Sequence, residues 1–298
     1  LILLLTATIW GMAFVSQSKG MDYMHPFTFN GVRSLIGAAG ILVYILISRK
    51  IAGDKAAKLD WKLNVRAGLL CGIFLTIAST LQQSGIKYTS VGKAGFITTL
   101  YIIFVPMFGV FLKKKVAPVV WAAAGMAAVG MYLLCMTESL RLGAGDIMVF
   151  LCAIAFAIQI MTVDHYAARI DGAVVSCIQF TVCGVVCCIG ALIWGQPTFG
   201  QIQEGLGALL YAGVLSCGVG YTLQIVGQKG LNPTVAALIM SLESVIATIS
   251  GWIAYKIGFL STDQTLTPRQ IAGCVIVFAA VILVQLPPEW FRFGKKND

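Results

Sequence analysis

The sequence predicts an all-α polytopic membrane protein: ten transmembrane helices arranged as two inverted five-helix repeats, with both termini cytoplasmic. Three observations carry this expectation. The chain is 58% hydrophobic and only 11% charged over 298 residues, less than half the roughly 25% charge of a soluble domain. Its apolar residues gather in runs of about 20, the length that crosses a bilayer core. One stretch also recurs: Leu81–Gly109 returns without a gap as Leu223–Gly251, 142 positions later. The copies match at Leu81/Leu223, Gln82/Gln224, Gly85/Gly227, Lys87/Lys229, Ala94/Ala236, Ile97/Ile239, Leu100/Leu242 and Gly109/Gly251. Each is an apolar segment, a short polar break with a lysine, and a second apolar segment, the mark of a duplicated unit.

Ten spans follow in order, at roughly 1–18, 28–48, 67–86, 92–112, 118–136, 146–165, 172–194, 205–228, 234–255 and 269–286. Span 1 opens at Leu1, already inside an apolar run. It is too weakly basic at its front for a cleaved signal peptide, and a few residues are expected ahead of it. Span 2 follows Pro26 and carries Arg33. Span 3 holds the pair Gly68 and Gly72 at GxxxG spacing, which permits close helix contact. Span 4 contains Pro106, a candidate hinge because proline frees a backbone carbonyl one turn earlier. Span 5 is rich in Ala and Gly. Span 6 starts at Asp146, where N-capping explains the acid. Spans 7 to 10 repeat the pattern of spans 2 to 5. The domains are then 1–136 and 146–286, joined by a loop at 137–145 and followed by a tail at 287–298.

Orientation follows from the basic residues. One side holds Arg49, Lys50, Lys55, Lys58, Lys62, Arg66, Lys113, Lys114, Lys115, Arg169, Lys229, Arg292, Lys295 and Lys296, and the other Lys19, Lys87, Lys93, Arg141, Lys256 and Arg269. The first side is cytoplasmic. Loop charge of this kind sets membrane orientation, and no extramembrane basic domain exists to bind nucleic acid. All nine cysteines (Cys71, Cys135, Cys152, Cys177, Cys183, Cys187, Cys188, Cys217 and Cys274) lie in apolar segments, with no CxxC pair. They read as small apolar residues, and no metal, disulfide or cofactor is expected.

Five is an odd number, so two five-span copies in one chain enter the membrane with opposite orientation. Spans 1 and 2 overlay their partners at an offset of 146: Ala7 on Ala153, Trp10 on Phe156, Arg33 on Gln179. Two similar, non-identical halves can exchange conformations around a midplane site. Alternating-access transport is therefore the leading reading of the residues alone.

Ala7–Gly40, with its Trp-Gly, its Pro before span 2 and its Arg followed by small residues, resembles the first two helices of EamA-type proteins of the drug/metabolite transporter superfamily. Gly95–Lys115 resembles that family's fourth helix, Leu142–Ala157 the start of its second half, and Leu238–Trp252 its ninth helix, with Ser244 where the family usually has proline. The resemblance implies a ten-helix carrier of the inner (plasma) membrane, commonly an exporter of amino acids, metabolites or drugs. It also implies that spans 1, 4, 6 and 9 supply the centre, which adds Trp10, Phe14, Tyr101 and Gln159 as cavity candidates.

Glu243 is the sharpest single residue, a carboxylate about ten residues into span 9. An ionisable group at that depth is costly and faces a bundle interior or wet cavity. It is a candidate for proton coupling or cation binding; the alternative is a structural, hydrogen-bonded acid. Arg33 either contacts substrate or, as the favoured reading, snorkels to the headgroups. Thr76, Ser79, Thr80, Gln82 and Gln83 crowd span 3, and Ser216, Tyr221, Thr222 and Gln224 crowd span 8, where residues three or four apart share a face. Ser79 with Gln82, and Tyr221 with Gln224, line one cavity or else tie helices together. Trp10 and Tyr101 present flat faces with a polar tip, and aromatic residues in spans also serve plain packing.

Two rival classes are set against the carrier. Gly143–Asp146 fits the GxGD pattern of intramembrane aspartyl proteases, whose chemistry needs a second facing aspartate. A channel or solute sensor is the other. No HExxH, GxSxG, P-loop or dinucleotide fingerprint occurs. The expected partners are a small-molecule solute, the bilayer and protons, with the chain a monomer or weak dimer.

Overall fold

The computed structural model describes residues 1–53, 59–89, 91–113, 116–135, 143–260 and 265–285. Lys55, Lys58, Lys114, Lys115, Arg141, Arg292, Lys295, Lys296, the stretch 136–142 and the tail 286–298 lie outside the described residues, as do the side chains of Lys93 and Cys135.

Among the described residues there are helices and no strand. In chain order they are α1 (Ile2–Gly20), α2 (Pro26–Ala52), α3 (Trp61–Ile86), α4 (Val91–Thr99), α5 (Tyr101–Phe111), α6 (Pro118–Cys135), α7 (Ala144–Tyr166), α8 (Gly172–Gly190), α9 (Phe199–Glu204), α10 (Leu206–Leu210), α11 (Tyr221–Gln228), α12 (Pro233–Met240), α13 (Leu242–Lys256) and α14 (Pro268–Gln285). A π-helical turn at Ala191–Gly195 extends α8, and a π-helical stretch at Tyr211–Gly220 joins α10 to α11.

Among the described residues, seven stretches are long and apolar enough to cross a membrane: Pro26–Ala52, Trp61–Ile86, Ala94–Phe111, Ala144–Tyr166, Gly172–Gly195, Leu206–Gln228 and Pro233–Lys256. Shorter apolar helices cover Pro118–Leu133 and Pro268–Leu283, and α1 runs for 19 residues. The outer surface is apolar to match: Leu42, Val43, Tyr44, Leu46 and Ile47 of α2 are all exposed. Such a surface suits hydrocarbon and would aggregate in water. The chain is a multi-pass helical membrane protein.

Local chemistry starts the helices where the sequence offers caps. His25 caps α2 ahead of Pro26 at the first helical position, and its Nδ1 accepts from Phe27 N–H at 3.4 Å. Asp171, its repeat equivalent at offset 146, caps α8 through Ala173 and Val174 N–H at 3.0 and 3.2 Å. Asp60 caps α3, and Asn232 with Pro233 starts α12. These side chains satisfy donors that a helix end leaves open.

Spans 4 and 9 are both interrupted, at Leu100 and Ser241. A hydroxyl bonded back into its own turn stands at each. Thr99 Oγ1 donates back to Gly95 and Phe96 carbonyls, both at 2.9 Å, and Ser241 Oγ to Leu238 O at 2.7 Å. Hydroxyl back-bonding competes with the helix ladder and bends it. Thr99 and Ser241 are equivalent at the offset of 142. Pro106, the expected hinge, lies inside α5, and the helix break precedes it at Leu100.

Packing exchanges the two halves. The pairs α2 with α8, α6 with α14, and α4 with α13 each join equivalent spans, while α3 against α7 has its counterpart in α1 against the Tyr211–Gly220 stretch. Close approaches fix the directions. Gly227 meets Leu3 and Gly220 meets Trp10, so α1 runs antiparallel to span 8. Gly213 sits against Ile36 and Gly37 against Cys217, the approach that lets α2 and span 8 lie backbone to backbone. Gly31 meets Cys188 and Gly184 meets Leu35, so α2 and α8 are antiparallel. Gly68 meets Ile178 and Gly72 meets Val182, so α3 and α8 are parallel.

Candidate functional site

Helices α1, α2, α3, α5, α7, α8, α11 and α13, with the end of α4 and the π-helical stretch, surround an interior cavity of about 40 Å³. All nine residues singled out from the sequence line it: Trp10, Phe14, Ser79, Gln82, Tyr101, Gln159, Tyr221, Gln224 and Glu243. Arg33, Gln17, Ser34, Leu75, Thr98, Phe156, Ile160, Phe180, Ser216 and Cys217 complete the lining.

The cavity sits where the halves exchange. At the offset of 142 the lining contains both members of Leu75/Cys217, Ser79/Tyr221, Gln82/Gln224 and Tyr101/Glu243; at 146 it contains Trp10/Phe156, Phe14/Ile160 and Ser34/Phe180. One equivalent pair touches directly: Tyr101 Oη donates to Glu243 Oε1 at 3.0 Å. Tyr101 is 2% and Glu243 4% exposed. Each stands in the first turn after its span's interruption, where free backbone N–H groups favour negative charge.

Two amide contacts flank this pair. Gln82 Nε2 donates to Thr98 Oγ1, and Gln224 Nε2 to Gln159 Oε1, both at 3.2 Å. One wall is aromatic: the Trp10 and Tyr221 rings lie 4.6 Å apart, and Phe180 meets Tyr221 edge-on at 5.0 Å. The polar residues of spans 3 and 8 divide by task. Ser79, Gln82, Ser216, Tyr221 and Gln224 face the cavity. Gln83 Nε2 ties α3 to Gln17 O of α1 at 3.1 Å, and Thr80 meets Cys187 of α8. Thr76 and Thr222 bond back within their own helices.

Arg33 departs from the favoured expectation. It does not snorkel: it is 6% exposed, turns into the cavity and stacks over Phe29, with the guanidinium carbon 5.3 Å from the ring centre. The neighbouring packing of α2 on α8 and the π-helical stretch leaves it no path to the surface. It forms no ion pair with Glu243.

Reflecting each expected residue through its repeat offset adds Phe156 and Ile160. Gln17 and Thr98 had no such signal, because their equivalents Val163 and Met240 are apolar.

Asp146 serves the start of α7. Its carboxylate accepts from Gly143 N–H and Thr89 Oγ1, each at 2.8 Å. Asp164 is 18 residues further along the same helix, about 27 Å away at 1.5 Å per residue. Among the described residues no group of three or more metal-ligating side chains occurs. A larger groove of about 590 Å³ between α1, α10 and α13 has no charged lining residue and opens on the apolar outer surface.

A model of the EamA-like transporter family matches residues 1–136 and 143–286. A transporter of Archaeoglobus fulgidus, described as uncharacterized, is 28% identical over 290 residues, covering 95% of this chain and 84% of its own. The Bacillus subtilis protein YwfM, described in the same words, is 24% identical over 97% of this chain and 94% of its own. A solved crystal structure shares the fold at a TM-score of 0.70 and 17% identity, covering 96% of this chain and 99% of that one.

Proposed function

This chain belongs to the EamA-like transporter family, and from that premise we propose that it carries a small organic solute through the Tyr101–Glu243 cavity by alternating access. The protein has ten spans, threaded as two inverted five-helix halves at 1–136 and 146–286 with both termini cytoplasmic. It acts in the plasma (inner) membrane, as an exporter, and needs no second copy to complete the site.

The observation that carries this reading is the convergence of equivalent positions from both halves on one enclosed cavity, joined across the axis at Tyr101 and Glu243. A site made twice over by related halves is what an exchange of outward and inward states requires. At about 40 Å³ the cavity holds on the order of three waters, whereas organic ligands occupy roughly 300–1,000 Å³. Loading a solute therefore demands opening, and the matched breaks at Leu100 and Ser241 supply bending points in both halves. Pro106, one and a half turns past the first break, is a second bending point in span 4.

Glu243 is the coupling group. It is the one carboxylate in the lining, and taking up or releasing a proton there changes the charge of the site.

The test is transport by the purified protein in proteoliposomes. Amino acids, nucleobases, organic acids and cationic drugs are first screened by thermal shift, and hits are assayed for flux. Saturable flux with counterflow is expected. Flux that rises linearly with concentration and shows no counterflow would make the protein a channel. Glu243→Gln is expected to flatten the pH dependence of flux; an unchanged rate and pH profile removes the coupling role.

A further inference from the structure

Arg33 is the one cation in the cavity lining, and its partners do not account for it. Among the described residues no carboxylate lies within 4.0 Å of it, and its Nε has no hydrogen-bond partner. A guanidinium stays charged at any physiological pH. Burying it unpaired is strongly unfavourable, and a ring stack such as that on Phe29 offsets only part of the lost hydration. For folding alone the residue is a net cost. Glu243, the one carboxylate in the lining, is bonded to Tyr101 and not paired with the guanidinium, which leaves Arg33 open to a counter-charge from outside the chain.

The lining residues have other open valences, of both kinds. Trp10 Nε1 and Gln159 Nε2 are buried donors without partners, and Gln17 Oε1 and Gln224 Oε1 are buried acceptors without them. With Arg33 Nε, three partnerless N–H groups from α1, α2 and α7 outnumber the two acceptors. Exchanging the amide ends of Gln159 and Gln224 leaves the count unchanged, since one donor and one acceptor stay free either way. A single fixed cation balances one negative charge, and the lining holds no second cation to hold a dianion. The repeat equivalent of Arg33 is Gln179, buried and neutral. The anion end is thus not duplicated, and a solute enters in one orientation. The rings of Trp10, Tyr221 and Phe180 gather on the cavity, tilted and edge-on to one another, and give it an aromatic side.

We propose that Arg33 anchors the carboxylate of a monovalent, ring-bearing organic anion as the solute of this cavity. The proposal rests on the carrier reading and narrows its substrate class.

Unfolding temperatures of the purified full chain in detergent test it, with phenylacetate, its neutral isostere phenylacetamide, and phenyl phosphate as probes. Phenylacetate is expected to stabilise the wild type most. Arg33→Gln is expected to weaken phenylacetate binding at least tenfold and to erase its advantage over the amide, while the ligand-free variant unfolds no earlier than the wild type. Arg33→Lys, which keeps the charge and loses the fork, should retain part of the preference. Equal stabilisation by acid and amide in the wild type overturns the proposal, and this comparison needs no variant to fold. So do a preference for phenyl phosphate, no shift with any probe, or a carboxylate preference that survives in Arg33→Gln. Saturable counterflow of a neutral or cationic solute, undiminished in Arg33→Gln, removes the anchor and keeps the carrier. Arg33-dependent binding without saturable flux does the reverse.

Discussion

The hydrogen bond from Tyr101 to Glu243 gives a quantitative test of contact between equivalent positions of the two halves. At 3.0 Å, between side chains 2% and 4% exposed, it is worth about 1.5–3 kcal/mol if the acid is ionised and about 1 kcal/mol if neutral. Tyr101→Phe keeps the ring and removes only the donor, leaving Glu243 Oε1 buried without that partner. The expected cost is about 2 kcal/mol, or roughly 30-fold in the unfolding equilibrium. In a Glu243→Leu background the same change removes a hydroxyl that has already lost its acceptor, so it should cost little or nothing. The coupling energy of the cycle is then about 1.5–2 kcal/mol. Equilibrium unfolding in mixed micelles of a mild detergent and dodecyl sulfate, run on all four proteins, measures it. A Tyr101→Phe penalty equal in the two backgrounds within about 0.5 kcal/mol would refute the reasoning.

Further outcomes concern packing, the cavity amides and pH. Gly37→Ala places a Cβ 2.7 Å from Cys217 Cβ and 2.8 Å from Gly213 O, and should destabilise by about 1–3 kcal/mol. Gly40→Ala, with nothing within 4 Å, should be neutral or gain up to about 1 kcal/mol; equal effects in the same unfolding assay would discount the α2–span 8 approach. Gln224→Ala should weaken binding of a transported solute by about 5- to 10-fold, the loss of one hydrogen bond, with fold retained; lost folding without altered affinity would make the residue structural. His25 has its basicity lowered, first by burial and then by the nearby Lys87 charge, from an ordinary 6.5. The unfolded chain then takes up the proton before the folded one, so stability falls as pH drops below about 6.5. The unfolding temperature should decline between about pH 7.5 and 5.5, and less steeply in His25→Gln; parallel curves would count against it.

How much was legible depended on whether a feature repeats. The apolar spans and the 142-residue offset follow from run lengths and a gapless match, and the two stretches matched by the family model, 1–136 and 143–286, agree with the repeat. Polar residues on one face of spans 3 and 8 marked positions that line the cavity, since a helix in hydrocarbon hides such groups inward. The same polarity could not separate Gln82, which faces the cavity, from Gln83, which holds α1, because adjacent residues differ by about 100° around the helix. Arg33 was misread because snorkelling depends on a free path to the headgroups, and the packing of α2 closes it. Pro106 marks a hinge in span 4 by sequence, yet the helix is interrupted at Leu100, beside Thr99, whose equivalent is Ser241. The π-helical stretch at Tyr211–Gly220 had no periodic signature at all. That Tyr101 and Glu243 meet requires the axis to pass between them, which only the folded chain reveals.

The carrier reading stands on a five-helix unit present twice, upside down relative to itself. Lys87 ends span 3 and Lys229 ends span 8, and both are exposed. Cysteine placed at each in turn and labelled with a membrane-impermeant maleimide, in intact cells and in inverted vesicles, reads the topology directly. Position 87 is expected to label from outside and position 229 only from the cytoplasmic side. Labelling of both from one side would contradict it.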